Sequence, residues 1–284
     1  MQIIIPMAGS GQRYKDEGYE KIKPLIEVDG KPMIEHVVKL FPDKSNFVFV
    51  CRDEHLKTTN LKSILKKISP NGKILPVKFE KKGPVHGTFQ VLDTLDDNDE
   101  VLINYCDFSV DWNYKEFLKM IGKKDVAGVI TAYRGFHPHM LGKDNYAFMR
   151  NRGKRMIEIR EKRPFTKNRM REYASCGTYY FKRGSYVKKY FKELIKRDLN
   201  TNGEYYVSEV YNLLVRDGLK VLIYEVENML QWGTPKDLKE YQAWSNYFLD
   251  SHHFKKMGKD TPEPKDRRVY NYWKNFFIKT RLSC

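Results

Sequence analysis

The run Ala8-Gly9-Ser10-Gly11-Gln12-Arg13 follows an apolar segment, Ile3-Ile4-Ile5, and Lys23-Pro24 comes ten residues after the arginine. Glycines in such a loop let the backbone approach an anion closely, with N–H groups free to face phosphate oxygens. Three chemistries use Gly-x-Gly after a strand. A dinucleotide site needs a third glycine and an acid about 20 residues further on. Here Arg13-Tyr14 stands where that glycine would come, and the strand expected over 46–51 ends in Cys51-Arg52. A P-loop needs a longer spacing to Gly-Lys-Ser/Thr, which the sequence lacks. The remaining use is a loop for a triphosphate, with Arg13 and Lys23 supplying fixed positive charge. A second group with chemical potential is Asp107, delivered at the end of the apolar run Val101-Leu102-Ile103-Asn104-Tyr105-Cys106.

These groups need strands that end side by side. Short apolar runs at 3–6, 25–28, 46–51, 73–79, 101–105 and 126–133 alternate with segments of helical pattern at 32–41, 54–68, 88–95 and 113–121. Such alternation predicts a mostly parallel sheet with helices on both faces. Ligands of such sheets bind beyond the carboxyl ends of the strands, where the glycine loop and Asp107 both fall. From about 140 the pattern changes, with strands expected at 146–149, 156–159 and 178–182 in a mixed or antiparallel insert. Helices are expected over 185–196 and 207–217, then a strand over 221–225. Thr234-Pro235 opens a helix to about Leu249, with Thr234 as its N-cap. Residues 251–268 read as a polar, basic linker, and the segment after them as a short aromatic helix.

The loop, Lys23-Pro24-Leu25 and Gly30-Lys31-Pro32-Met33 together resemble the signature of the nucleotidylyltransferases, which join an NTP to a phosphorylated sugar, polyol or amine. The resemblance covers roughly residues 1–249 and is strongest toward capsule-cluster cytidylyltransferases acting on phosphocholine and phosphoglutamine. It implies a Rossmann-like (GT-A type) sheet sandwiched by helices, with a mixed-sheet insert for the substrate. It further implies a nucleotide-binding half over 1–135, an acceptor-binding half over 136–249, and a basic linker and helical tail over 250–284. By this resemblance Arg13 meets the leaving phosphates, Lys23 the α-phosphate, and Ala8, Gly9, Ser10 and Gly11 the triphosphate. Gly83, Gly87 and Thr88, in Lys82-Gly83-Pro84-Val85-His86-Gly87-Thr88, fall where the family's nucleobase loop lies. CTP is the nucleotide the resemblance favours, and Asp107 the residue that holds Mg²⁺. The family often has a second metal carboxylate before a late Gly-Thr, but Gln231 stands near that place. Gln231, Asp111, Glu225 and Glu227 are the alternatives, as is a metal held by Asp107, phosphates and water. Glu161, Lys162, Gly177 and Glu204 match the family's acceptor contacts. For Glu204, an acid favoured by a helix N-terminus is an equal reading.

The 284 residues carry a formal charge of +16, which suits anionic small molecules and also suits a solvated, lysine-rich surface. No stretch is long and apolar enough for a membrane span, and the N-terminus lacks the basic n-region of a signal peptide. Cys51, Cys106, Cys176 and Cys284 are spaced for neither a zinc site nor a disulfide framework. A reduced, cytoplasmic setting is expected. His137-Pro138-His139 reads as a turn before it reads as a metal site. A glycosyltransferase would want Asp-x-Asp, but Asp107 is followed by Phe108-Ser109. A non-catalytic nucleotide binder has only Gln231 in its favour. No nucleic-acid motif accompanies the charge. The tail is open to three uses: packing on the domain, a homo-oligomer contact, or a membrane surface.

Overall fold

A computed structural model of the chain describes residues 1–42 and 46–256, with Asn271 and Asn275 besides. The expected aromatic tail helix, and the linker beyond residue 256, lie outside the described residues. The strands are β1 (Gln2–Met7), β2 (Glu27–Val28), β3 (Lys31–Pro32), β4 (Phe47–Arg52), β5 (Lys73–Val77), β6 (Val101–Asn104) and β7 (Phe108–Asp111). They continue as β8 (Gly128–Tyr133), β9 (Ala147–Arg152), β10 (Arg155–Glu161), β11 (Tyr173–Phe181), β12 (Val221–Glu225) and β13 (Asn228–Gln231).

The main sheet runs β5-β4-β1-β6-β11-β8-β12-β10-β9. The first four strands are mutually parallel. The sheet turns mixed at β11, which runs antiparallel to both β6 and β8. The expected insert is therefore continuous with the main sheet: β9 and β10 extend it, and β11 enters its middle. Burial drives this arrangement, since all nine residues of β11 are buried and need cover on both faces. Alternate residues of the parallel strands feed opposite layers. Ile3, Ile5, Phe47 and Phe49 face one core, and Ile4, Val48 and Val50 the other.

Three strands were not foreseen: β3, expected as the turn into a helix, pairs with β2 in a two-stranded sheet apart from the main one, and two more pair across the chain. β7 and β13 form an antiparallel ribbon of their own, with Phe108 opposite Gln231 and Asp111 opposite Asn228. Three expected helices also shift. The helix over 54–68 breaks into Asp53–Thr58 and Leu61–Ile68, where Thr59 turns extended and its Oγ1 accepts from the Leu61 N–H at 3.2 Å. The helix expected over 88–95 instead spans Gly83–Phe89, followed by a 3₁₀ turn over Leu92–Thr94. The helix from Pro235 continues past Leu249 to Lys256. Among the described residues no helix is long and apolar enough to cross a membrane.

Candidate active site

The β1–β6 pairing aligns Ile4 with Ile103, so the glycine loop after β1 and Asp107 after β6 leave the sheet side by side. Between them opens a cleft of about 300 Å³. Ala8, Gly9 and Ser10 line it together with Lys23 and Asp107. A Cβ added at Gly9 would meet nothing within 4 Å, so the backbone there borders open space. Gly11 takes φ +64°, which starts the short helix Gln12–Asp16. Arg13 is exposed on that helix, close enough to Tyr206 to act on its hydroxyl electrostatically.

Lys23 and Asp107 meet directly. Lys23 Nζ donates to Asp107 Oδ2 at 2.5 Å and to the Gly233 carbonyl at 2.9 Å. The segment 231–234 is pinned beside them. The Trp232 N–H donates to the Asp107 carbonyl at 3.0 Å, and the buried Tyr14 hydroxyl donates to the Trp232 carbonyl at 2.5 Å. A Cβ at Gly233 would lie 2.8 Å from Gln231 Nε2 and 3.4 Å from Asp107 Oδ2. The Gly233 backbone thus lies between the Gln231 amide and the Asp107 carboxylate.

These two groups supply hard oxygen donors, and a cation such as Mg²⁺ that relies mainly on phosphate and water oxygens needs few more. Among the described residues no group of three or more His, Cys, Asp or Glu could hold a metal alone. The other metal candidates sit elsewhere. Asp111 lies at the far end of the β7–β13 ribbon from Gln231, roughly 10 Å of strand away. Glu227 is beside Asp111, its N–H donating to the Asp111 carbonyl at 3.3 Å. Glu225 makes a two-pronged ion pair with Arg134, at 2.9 Å on both oxygens. The structure thus brings Gln231, and not these three, to Asp107.

The second wall of the cleft comes from the segment after β5. Gly83, His86 and Gly87 line it. Gly83 takes φ +84°, and a Cβ there would lie 2.7 Å from the Tyr205 carbonyl oxygen. This close approach, with the Val85 N–H donating to Tyr205 O at 3.1 Å, ties the wall to the 204–206 segment. Thr88, expected in the nucleobase loop, does not line the cleft. It is buried within the helix Gly83–Phe89, and its hydroxyl donates back to the Pro84 carbonyl at 2.9 Å.

Glu204 and Tyr206 line the cleft beside this wall, where Glu204 lies against Gly83. The Tyr206 hydroxyl donates to Glu204 and accepts from Lys162 Nζ, which lies 3.9 Å from Glu204 Oε2. Lys162 holds the left-handed conformation, φ +54°. That turn sends its neighbour Glu161 the other way, into the interior. Glu161 is 9% exposed and accepts from Ser208 Oγ at 2.6 Å. Burial pushes its carboxyl up to about 7, against the Ser208 hydrogen bond and the Lys162 charge. Gly177, with φ +103°, packs against the Tyr105 and Phe108 rings, where a Cβ would come within 3.1 Å of both. Glu161 and Gly177 therefore support the cleft from beneath, whereas Lys162 and Glu204 stand at its edge.

Residues that sequence reasoning passed over include Tyr146 and Asp237. Tyr146 is buried, and the Gln231 amide lies near enough to its hydroxyl to act on it. Asp237 accepts from Thr234 Oγ1 at 2.7 Å, while its own N–H donates back to that oxygen at 3.2 Å. Its carboxyl is raised by burial and then by the charge of Asp107. The reciprocal capping signal Thr-x-x-Asp was visible at 234–237, but its nearness to Asp107 was not.

Comparison with known proteins gives the fold and the family. The bifunctional protein GlmU of Methanocaldococcus jannaschii is 25% identical over 272 residues, covering 91% of this chain. The chain spans 57% of the length of that relative. A nucleoside-diphosphate-sugar pyrophosphorylase from Vibrio cholerae RC9 superposes with a TM-score of 0.67 at 20% identity, over 84% of this chain and 99% of that one. The inositol-1-phosphate CTP transferase from T. maritima gives 0.65 at 15% identity, over 85% and 93%. These two likenesses establish the shared fold. The family model of the MobA-like NTP transferase domain matches residues 3–163, a stretch that carries the glycine loop, Lys23, the second cleft wall and Asp107. A loop, lysine and aspartate that meet at one strand mouth are what that stretch encodes, and the chain belongs to the MobA-like NTP transferase domain family of nucleotidyltransferases.

Proposed function

We propose that the protein transfers a nucleotidyl group from an NTP, with CTP favoured, to a phosphorylated small molecule and releases pyrophosphate. The product serves as an activated building block for a capsule or other surface polysaccharide, made in the cytoplasm. The observation that carries the reading is the contact of Lys23 with Asp107 in a cleft shared by the glycine loop and the Glu204–Tyr206 edge. A phosphate oxygen of the acceptor attacks the α-phosphorus. The new P–O bond forms as the bond to the pyrophosphate oxygen breaks. The attacking phosphate is already ionised and needs no general base. The task of the site is to hold two anions together and neutralise the charge that develops.

Lys23 provides that charge at the α-phosphate, and the nucleotide competes with Asp107 for it. Arg13, exposed on the helix after the glycine loop, receives the leaving phosphates. Asp107 and Gln231 are the residues that would hold Mg²⁺, which when bound neutralises triphosphate charge. Lys162 and Glu204 contact the acceptor, with Glu161 and Gly177 beneath them.

The test is pyrophosphate release with Mg²⁺, each common NTP being paired with sugar 1-phosphates, polyol phosphates, phosphocholine and phosphoglutamine. Release that requires one NTP and one acceptor is expected. Lys23→Ala, Arg13→Ala and Asp107→Asn should each lower turnover by roughly 10²–10³-fold with an unchanged circular dichroism spectrum. Nucleotide binding without release across the panel would defeat the transferase reading. Near-normal turnover in one variant would remove that residue from its role.

A further inference from the structure

The cleft contains a carboxylate for which nucleotidyl transfer has no use. Glu80 lines it, on the segment between β5 and the helix Gly83–Phe89. An ionised carboxylate that, unlike Asp107, has no part in holding a cation on the phosphates would only repel them. The Lys82 ammonium beside it, with His86 nearby, holds the Glu80 carboxyl below the usual carboxylate range. The carboxylate is tolerable where the bound nucleotide offers hydrogen-bond donors, and only the base and the ribose do.

The segment is held for such a task. The Gln90 side-chain amide brackets Lys78, accepting from its N–H at 3.1 Å and donating to its carbonyl at 3.0 Å. Glu80 Oε2 is taken by Lys82 Nζ at 2.9 Å and faces His86 Nε2 at 3.7 Å. Oε1 has no partner among the described residues. One oxygen is anchored and the other keeps its lone pairs. Lys78 and Lys81 line the same cleft, but their donors suit base carbonyls such as O2, which cytosine, uracil and thymine all carry. The acceptor is what can tell them apart.

We propose that Glu80 sets the base selectivity, its open oxygen accepting a hydrogen bond from an exocyclic amino group, so that the site takes an amino-bearing base and rejects uracil and thymine. A carboxylate pairs in this way with the N4 amino group of cytosine. The O4 of uracil or thymine would bring an acceptor against an acceptor. The inference rests on the nucleotide reading of the cleft and makes a statement about it that transfer activity alone does not.

Calorimetric titration of CTP, UTP and dTTP into the wild-type protein and Glu80→Gln, without acceptor, tests it. CTP should bind the wild type on the order of 10- to 100-fold more tightly than UTP or dTTP. In Glu80→Gln the gap should shrink to within about threefold, largely by tighter UTP binding, because an amide can turn its NH₂ toward O4. Equal binding of CTP and UTP by the wild type overturns the proposal. So does a gap that survives the substitution. Equal weakening of CTP and UTP would give Glu80 a ribose or structural role and overturn it as well. Selective binding with no pyrophosphate release from any acceptor would leave this inference standing and defeat the transferase reading. Absence of any nucleotide binding would defeat both.

Discussion

Glu161→Gln should make the protein more stable at neutral and alkaline pH than the wild type, and flatten its pH dependence. Glu161 is buried beneath the cleft edge with Ser208 as its hydrogen-bond donor. In the unfolded chain its carboxyl ionises near 4.5, whereas burial holds it protonated in the folded chain up to about 7. Between those values the native state binds the extra proton, so stability falls as pH rises. Above 7 the full cost is present, and at ~1.4 kcal/mol per tenfold change in proton affinity it amounts to about 3 kcal/mol. Below 4.5 both states are protonated and the cost vanishes. Glutamine keeps the shape and an oxygen for Ser208, and never ionises. Urea denaturation of both proteins at pH 4.5, 6, 7 and 8 would read the difference. The curves should approach one another at pH 4.5 and separate by about 3 kcal/mol at pH 8. Parallel curves across this range would refute the reasoning, because they would mean that Glu161 ionises in the native state as easily as in the unfolded one.

Two further substitutions probe how the cleft is supported. Gly177→Ala places a Cβ 3.0 Å from Phe108 and 3.1 Å from Tyr105 at φ +103°, and should cost about 2–4 kcal/mol from backbone strain and overpacking together; denaturation midpoints would show it, and a change under half a kcal/mol would be inconsistent with that packing. Thr234→Ala removes the hydroxyl that accepts from the Asp237 N–H and donates to its carboxylate; a loss of about 1 kcal/mol is expected in the same assay, and unchanged stability would mean the cap contributes nothing there.

Much of the first half of the chain was legible because its strands are short, apolar and bounded by strong signals. β1, β4 and β6 end within a residue or two of where their apolar runs end. β11 was read too short. Its first half, Tyr173-Ala174-Ser175-Cys176-Gly177, mixes small, polar and glycine residues, and nothing local announces that all of it is buried. The β7–β13 ribbon was illegible for a different reason. Each strand has four residues, and each is a strand only because the other lies opposite, more than a hundred positions away in the chain. The 54–68 helix looked continuous because its apolar period runs on through Thr59-Asn60. The break depends on a threonine hydroxyl competing for a backbone N–H.

The same limit governs the part of the site around Asp107. A motif can place Gln231 before Gly233-Thr234, but it cannot show that the Gly233 backbone lies between the Gln231 amide and the Asp107 carboxylate. Nor can it show that Asp237, one helical turn on, already feels the charge of Asp107. A carboxylate at 231 would add a third negative group to a place where one of two is already pushed toward protonation. A neutral amide keeps an oxygen there without that repulsion. Asp107 is balanced instead by Lys23, which sits 2.5 Å away and is also the cation assigned to the α-phosphate. The departure at 231, which by sequence alone favours a lapsed enzyme, thus fits a site whose charge is balanced around one carboxylate and one lysine.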